Sequence, residues 1–329
     1  MKALVTGGGG FLGGAIARQL VAAGHAVVSL QRSDAPELRA IGIDVQRADL
    51  ADAAAVKSAA RGCEIVFHVA AKAGHWGSYQ SYFDANVQGT RNVLDACRTH
   101  AIPKLVYTST PSVVHAGGDL EGVDESIPYA SHFLAHYPAS KCIAEREVLA
   151  ANSHELCTVA LRPHLIWGPG DQHLLPRILD RARRGRLRFV GKAGKRIDAT
   201  YIDNAVLAHL LAGATLRPNS AHAGKAYFIS NAEPIAVEDM INRLLACADL
   251  PPVHARMPLP AAYAIGALLE IVYRAFALSG EPILSRFVAE QLGTAHWFDI
   301  SAAQRDFGYC PRVSMSQGFE RLRKSLQAG

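Results

Sequence analysis

Short apolar runs recur through the first half of the chain. They are KALVTGG from residue 2, AVVSLQR from 26, GIDVQRAD from 42, EIVFHVAA from 64, KLVYTSTP from 104 and CTVALRP from 157. Each is rich in Val, Ile or Leu and too short for a helix, the pattern of strands covered on both faces. Between them lie segments of helical period, among them FLGGAIARQLVAAG (11–24), closed by Gly24, and continuous helices over 82–100 and 138–152. Strand alternating with helix predicts an α/β fold, a doubly wound parallel sheet of the Rossmann type. After about residue 165 Pro and Gly become frequent and the strands short. The expected division is a dinucleotide-binding domain over 1–165 and a smaller, interleaved substrate lobe over 166–329, with elements near 198–230 returning to the sheet.

The stretch 259–278, LPAAYAIGALLEIVYRAFAL, is the most apolar. Glu270 and Arg274 interrupt it four residues apart, on one helix face. A buried amphipathic helix or lid is the first expectation, peripheral membrane contact the second, and a true span the third, because a charge is costly at a bilayer centre.

The net charge of +5 is mild, and Lys and Arg form no stripe of the kind nucleic-acid binding needs. RARRGRLR (181–188) reads as a solvated helix end. The six cysteines show no metal-ligand spacing, so no metal is expected and the thiols read as reduced. The apolar start without a leader pattern points to a cytoplasmic protein.

TGGGGFLG (6–13) joins the first strand to the first helix. Gly7 permits the tight turn, Gly10 lets backbone approach a pyrophosphate, and Gly13 lets helix pack on strand. Phe11 and Leu12 open the helix whose free N–H groups face the phosphates. At the end of the second strand an NAD-binding fold usually places a carboxylate; here stand Gln31 and Arg32. A guanidinium would pair with a 2′-phosphate, so NADP(H) is the expected cofactor. The other reading has Arg32 stacking on adenine while Ser33 or Asp34 serves the ribose. Asp49 and Leu50 would border the adenine, and Ala70 and Ala71 the middle of the cofactor.

HYPASK places Tyr137 and Lys141 one helical turn apart, 27 residues after Thr110, which ends the fifth strand. Together with DANVQGTRNVL (84–94), YTST (107–110), LRPHLIWGPGD (161–171) and YIDNAVLAHLLA (201–212), these motifs resemble the extended short-chain dehydrogenase/reductase family along nearly the whole chain. The resemblance implies hydride transfer at a carbonyl or its alcohol. Tyr137 would be the general acid. Lys141 would lower its pKa and hold the nicotinamide ribose. Thr110 would polarise the substrate oxygen, with Ser109 ranked second. Asn86 would hold a helix against the fourth strand, and Pro163 and Leu165 would lie by the nicotinamide.

LVYTSTPSVV, DLEGVDESIPY and the apolar segment resemble the 3β-hydroxysteroid dehydrogenase-like branch. Within it, AAKAGHWGSY and DLEGVDESIPYASHFLAHYPASK resemble bacterial reductases of long-chain 2-alkyl-3-keto acids in olefin biosynthesis. That likeness implies NADPH, a lipid-like keto acid substrate, a homodimer pairing helices 82–100 and 138–152, and association with pathway enzymes. Lys72, Lys195 and Arg196 are candidates for the substrate carboxylate. The alternatives are a sterol dehydrogenase, a nucleotide-sugar epimerase, or a dinucleotide-binding scaffold without catalysis. Dehydratases carry acidic residues where Pro111, Ser112 and Val113 stand, which argues against dehydration.

Overall fold

The computed structural model describes residues 1–328. Seven strands form the main sheet: β1 (Lys2–Thr6), β2 (Ala26–Gln31), β3 (Asp44–Arg47), β4 (Ile65–His68), β5 (Lys104–Thr108), β6 (Cys157–Pro163) and β7 (Lys225–Ile229). Their order is β7-β6-β5-β4-β1-β2-β3, and every pairing is parallel. Helices α1 (Phe11–Ala22), α2 (Gly89–Thr99), α3 (His136–Ala150) and α4 (Ile202–Thr215) cover the two faces. Ile16, Leu20, Ala205 and Ala208 lie in one core cluster, and Val93, Ala144 and Val148 in another. This double cover is why the strands read as unbroken apolar runs; β6 is buried at all seven positions. The strand order reverses between β1 and β4, which opens a crevice at their carboxyl ends.

Three differences from the sequence expectation matter for the site. The helix expected over 82–100 starts at Tyr79, winds as a π turn through Phe83–Gln88, and becomes α2 only at Gly89. Local propensity does not require this turn, but two distant contacts favour it. The Asn86 amide is claimed from outside the helix, and a Cβ on Gly89 would sit 2.8 Å from Leu50 Cβ. The second difference lies inside 1–165, where one segment leaves for the smaller lobe; α4 and β7 fall in the stretch 198–230 from which a return to the sheet is expected. Residues 120–123 leave the first half to join a smaller four-stranded sheet with 196–197, 235–236 and 296–298, while α4 and β7 return from the second half to the main sheet.

The third difference is α5 (Leu259–Ala275), whose polarity is the reverse of the amphipathic expectation. Its inward face is Ala262, Gly266 and Glu270. Gly266 allows contact so close that a Cβ would stand 2.6 Å from the Ser285 carbonyl carbon. Glu270 accepts hydrogen bonds from Arg286 N (2.8 Å), Nε (2.9 Å) and Nη2 (2.7 Å) at the start of α6 (Arg286–Gly293). The outward side carries Ile265, Leu268 and Ile271 (64% exposed), continued beyond the helix by Phe276 (73%), Leu278 and Ile283. Among the described residues no helix is long and apolar enough to cross a membrane.

Removing one partner of a buried ion pair strands the other charge. Arg286 keeps about a third of its side chain in water, so the cost is discounted. Glu270→Ala should lower unfolding free energy by about 1–3 kcal/mol in urea titration. An unchanged midpoint would show that this pair does not hold α5 in place.

Candidate active site

The glycine loop takes its shape from close packing. Gly7 has φ +74°, and a Cβ there would meet Ala70 Cα at 2.9 Å. A Cβ on Gly13 would stand 2.3 Å from the Gly7 carbonyl oxygen. Gly10 N donates to Gly7 O (2.9 Å), and α1 starts at Phe11 with no side-chain cap and no acid in its first turn. Its first N–H groups are therefore free for an anion at the crevice. Ala70 follows β4, with its N–H bound to Thr6 Oγ1 (3.1 Å). Asp49 and Leu50 follow β3, where Asn92 Nδ2 donates to Leu50 O (2.7 Å). Pro163 ends β6, and Leu165 takes φ +42°, a backbone state uncommon outside Gly, Asn and Asp and concentrated at functional sites. These residues fit a dinucleotide of the NAD(P) type lying across the carboxyl ends of the strands.

Gln31 turns inward. Its Oε1 accepts from Ser29 Oγ (2.7 Å), its Nε2 donates to Ser33 O (3.1 Å), and its amide packs where a Cβ on Gly9 would fall. Asp34 is held by Arg39 at 2.5 Å. Arg32 is exposed and has no hydrogen-bond partner among the described residues.

Tyr137 lies in the first turn of α3 and Lys141 one turn later. Thr110 follows β5 and caps the short turn Pro111–Val113. Burial pushes the Tyr137 phenol up to about 12, while the Thr110 hydroxyl facing it pulls the other way. Lys141 is 2% exposed, donates to Thr108 O (2.6 Å) and lies 4.1 Å from the centre of the Tyr107 ring. Desolvation lowers its pKa to about 7, against the opposing pull of Glu145. The Tyr137 phenol itself is acted on by burial, Thr110 and Tyr82. The ammonium donates to a carbonyl and lies over an aromatic face, and burial weakens its hold on its proton. Ser109 is buried, with a hydroxyl that has no partner among the described residues.

Sequence reasoning named Asn86 but missed the rest of the polar chain behind these groups. Thr6 Oγ1 accepts from Val69 and Ala70 N–H (3.1 Å each), so its own proton goes to His68 Nδ1 (2.8 Å). His68 Nε2 then donates to Thr90 Oγ1 (2.9 Å), which donates to Asn86 O (2.6 Å). Burial holds His68 neutral, with a pKa lowered to about 3. Asn86 Nδ2 donates to Ser140 Oγ (2.9 Å), which donates to Tyr137 O (2.8 Å). Asn86 also clamps Lys72 at N (2.7 Å) and O (3.0 Å). The buried Glu145–Arg162 pair, with Tyr129 OH donating to Glu145 (2.7 Å), braces the far side of α3.

Residues 4–260 match the profile of the 3-beta hydroxysteroid dehydrogenase/isomerase family. The chain belongs to that family. A family relative, 2-alkyl-3-oxoalkanoate reductase of Stenotrophomonas maltophilia, is 54% identical over 100% of both chains. The protein of the same name in Shewanella oneidensis is 53% identical over 98% of this chain and 86% of its own. In shape, this family member superposes on the UDP-glucose 4-epimerase of Thermus thermophilus with TM-score 0.76. The identity is 23% and all of both chains is covered, a likeness of fold. Tyr137, Lys141 and Thr110 thus stand in an oxidoreductase of the 3-beta hydroxysteroid dehydrogenase type, one acting on a carbonyl or hydroxyl carbon.

A lysine whose folded pKa lies below its unfolded value of 10.5 takes up a proton on unfolding between about 7 and 10.5. Stability from this group therefore rises with pH across that window, and methionine has no such term. The difference in melting temperature between Lys141→Met and the parent, both cofactor-free, should be largest at about pH 7 and shrink by about pH 9.5. A difference independent of pH would mean that Lys141 titrates normally.

Proposed function

We propose that the protein is an NADPH-dependent reductase that converts a long-chain 2-alkyl-3-keto acid into the 2-alkyl-3-hydroxy acid, a step suited to olefinic hydrocarbon formation. The observation that carries this reading is the 54% identity, over the full chain, to a protein named for that reaction. The preference for NADPH is supported by the second strand. Gln31 is tied down, Asp34 is occupied, and the free cation is Arg32, which suits a 2′-phosphate. A small cavity beside Pro138 has a mixed lining, with Phe133, Leu134, Tyr263 and Phe287 joined by His115, His132 and Glu290.

When bound, the reduced dinucleotide supplies the hydride. The protein's own groups do the rest. Tyr137 donates its proton to the carbonyl oxygen as the C–H bond forms, and Thr110 hydrogen-bonds the same oxygen. A phenol raised to about 12 is fully protonated at neutral pH, the state reduction requires. The Lys141 ammonium, 2% exposed and close to Thr108 O, is placed to hold a ribose hydroxyl and to return a positive charge to Tyr137 once that contact is made.

The test runs in the oxidative direction, because free 3-keto acids decarboxylate. Reduced cofactor is followed with a long 2-alkyl-3-hydroxy acid, a 3β-hydroxysteroid and a UDP-hexose. The hydroxy acid with NADP should be the best pair; turnover of steroid or sugar alone would overturn the substrate. Tyr137→Phe should keep dinucleotide affinity and lose about 100-fold or more in kcat. Arg32→Ala should raise KM for NADPH about tenfold or more while KM for NADH moves little. Equal effects on both cofactors would show that Arg32 does not read the phosphate.

A further inference from the structure

The reaction leaves one requirement unassigned. A 3-keto acid carries a carboxylate two bonds from the carbon that receives hydride, and a carboxylate brought into a closed crevice needs a cation. Three cations were open candidates. Lys195 is paired with Asp119 in the smaller sheet. Arg196 donates to Pro234 O (2.8 Å) and lies over the Trp297 ring. Lys72 differs in place and in company. It lies four residues past the end of β4, at the crevice where the strand order reverses. No carboxylate of the described residues pairs with its ammonium; Nζ donates to Ser81 Oγ (2.7 Å) and stands 5.0 Å from the centre of the Tyr82 ring. Glu281, which reaches this loop, is paired with Arg177 (3.4 Å).

The position of Lys72 is fixed relative to the acid. Asn86 holds its backbone at two points and, through Ser140, holds the Tyr137 carbonyl. The Tyr82 ring beneath the ammonium lies 6.3 Å from that of His136, the residue before Tyr137, and its hydroxyl is felt at the Tyr137 phenol.

We infer that Lys72 Nζ, oriented by Ser81 Oγ, which accepts from it and donates its own proton to Ser78 O (2.8 Å), is a carboxylate-binding subsite that reads the acid group of the substrate. The inference deepens the function proposed above and rests on it. The subsite also bears on side chemistry. A 3-keto acid loses carbon dioxide by passing its carboxyl proton to its own ketone oxygen. A carboxylate in contact with an ammonium is held ionised and has no proton to pass. The only proton delivered to that oxygen then comes from Tyr137, as hydride forms the C–H bond and the carbonyl becomes a hydroxyl.

The experiment compares a 2-alkyl-3-hydroxy acid with its methyl ester as substrates for oxidation by the full-length protein with NADP. For the parent, kcat/KM should favour the acid. In Lys72→Met the acid-to-ester ratio should fall roughly 10- to 100-fold, chiefly through KM, the range for loss of a charge-assisted hydrogen bond. Lys72→Arg should recover part of the preference. NADPH binding, followed by its fluorescence, reports whether the variants are folded. If acid and ester lose activity in proportion, or the ratio does not move, the subsite is wrong while the proposed function stands. If the parent oxidises neutral alcohols and rejects the acid, the functional reading fails and the subsite falls with it.

Discussion

One hydrogen-bonded chain organises the crevice. It runs from Thr6 at the end of β1 through His68, Thr90, Asn86 and Ser140 to the backbone of Tyr137. The glycine loop starts from Thr6, so the phosphate end of the cofactor site and the proton donor share one frame. The chain is buried, and every proton in it has a single direction. Such a network is stable only when complete, because an unpaired polar group inside the protein costs more than a pair supplies. The distance between a bound dinucleotide and Tyr137 is thereby set by five side chains, from β1, β4, the π turn, α2 and α3.

Charge is handled by the same enclosure. Burial weakens the hold of Lys141 on its proton, and one turn further along α3 the buried Glu145 is matched by Arg162. The carboxylate pulls Lys141 back toward the charged state, and the guanidinium limits that pull. Lys141 is thus poised to respond to a partner, whereas a fully solvated lysine would stay charged under all conditions.

Much of this was legible in the sequence because it is local. Apolar runs gave the strands, glycine spacing gave the loop, and the four-residue interval gave the pairing of Tyr137 with Lys141. What escaped was set by distant contacts. The π turn at 83–88 satisfies an Asn86 amide claimed from residues 72 and 140. The inward fold of Gln31 depends on Ser29 and on the bare loop at Gly8 and Gly9. The reversed polarity of α5 follows from Arg286, which makes Glu270 a buried residue and leaves Ile271 in water. Periodicity marks the two sides of a helix but cannot tell which of them the rest of the chain will cover.

The π turn also bears on how the site can change over time. It holds one residue more than the same rise of α-helix would. Loss of a single residue between 83 and 88 would let the ladder close as ordinary helix, with the flanking turns left in register and the position of Asn86 in the wide turn lost. Asn86 could then no longer meet both Lys72 and Ser140. Spacing therefore matters here as well as residue identity. Two lineages could share nearly every side chain, differ by one residue of length in this stretch, and present different groups to the substrate.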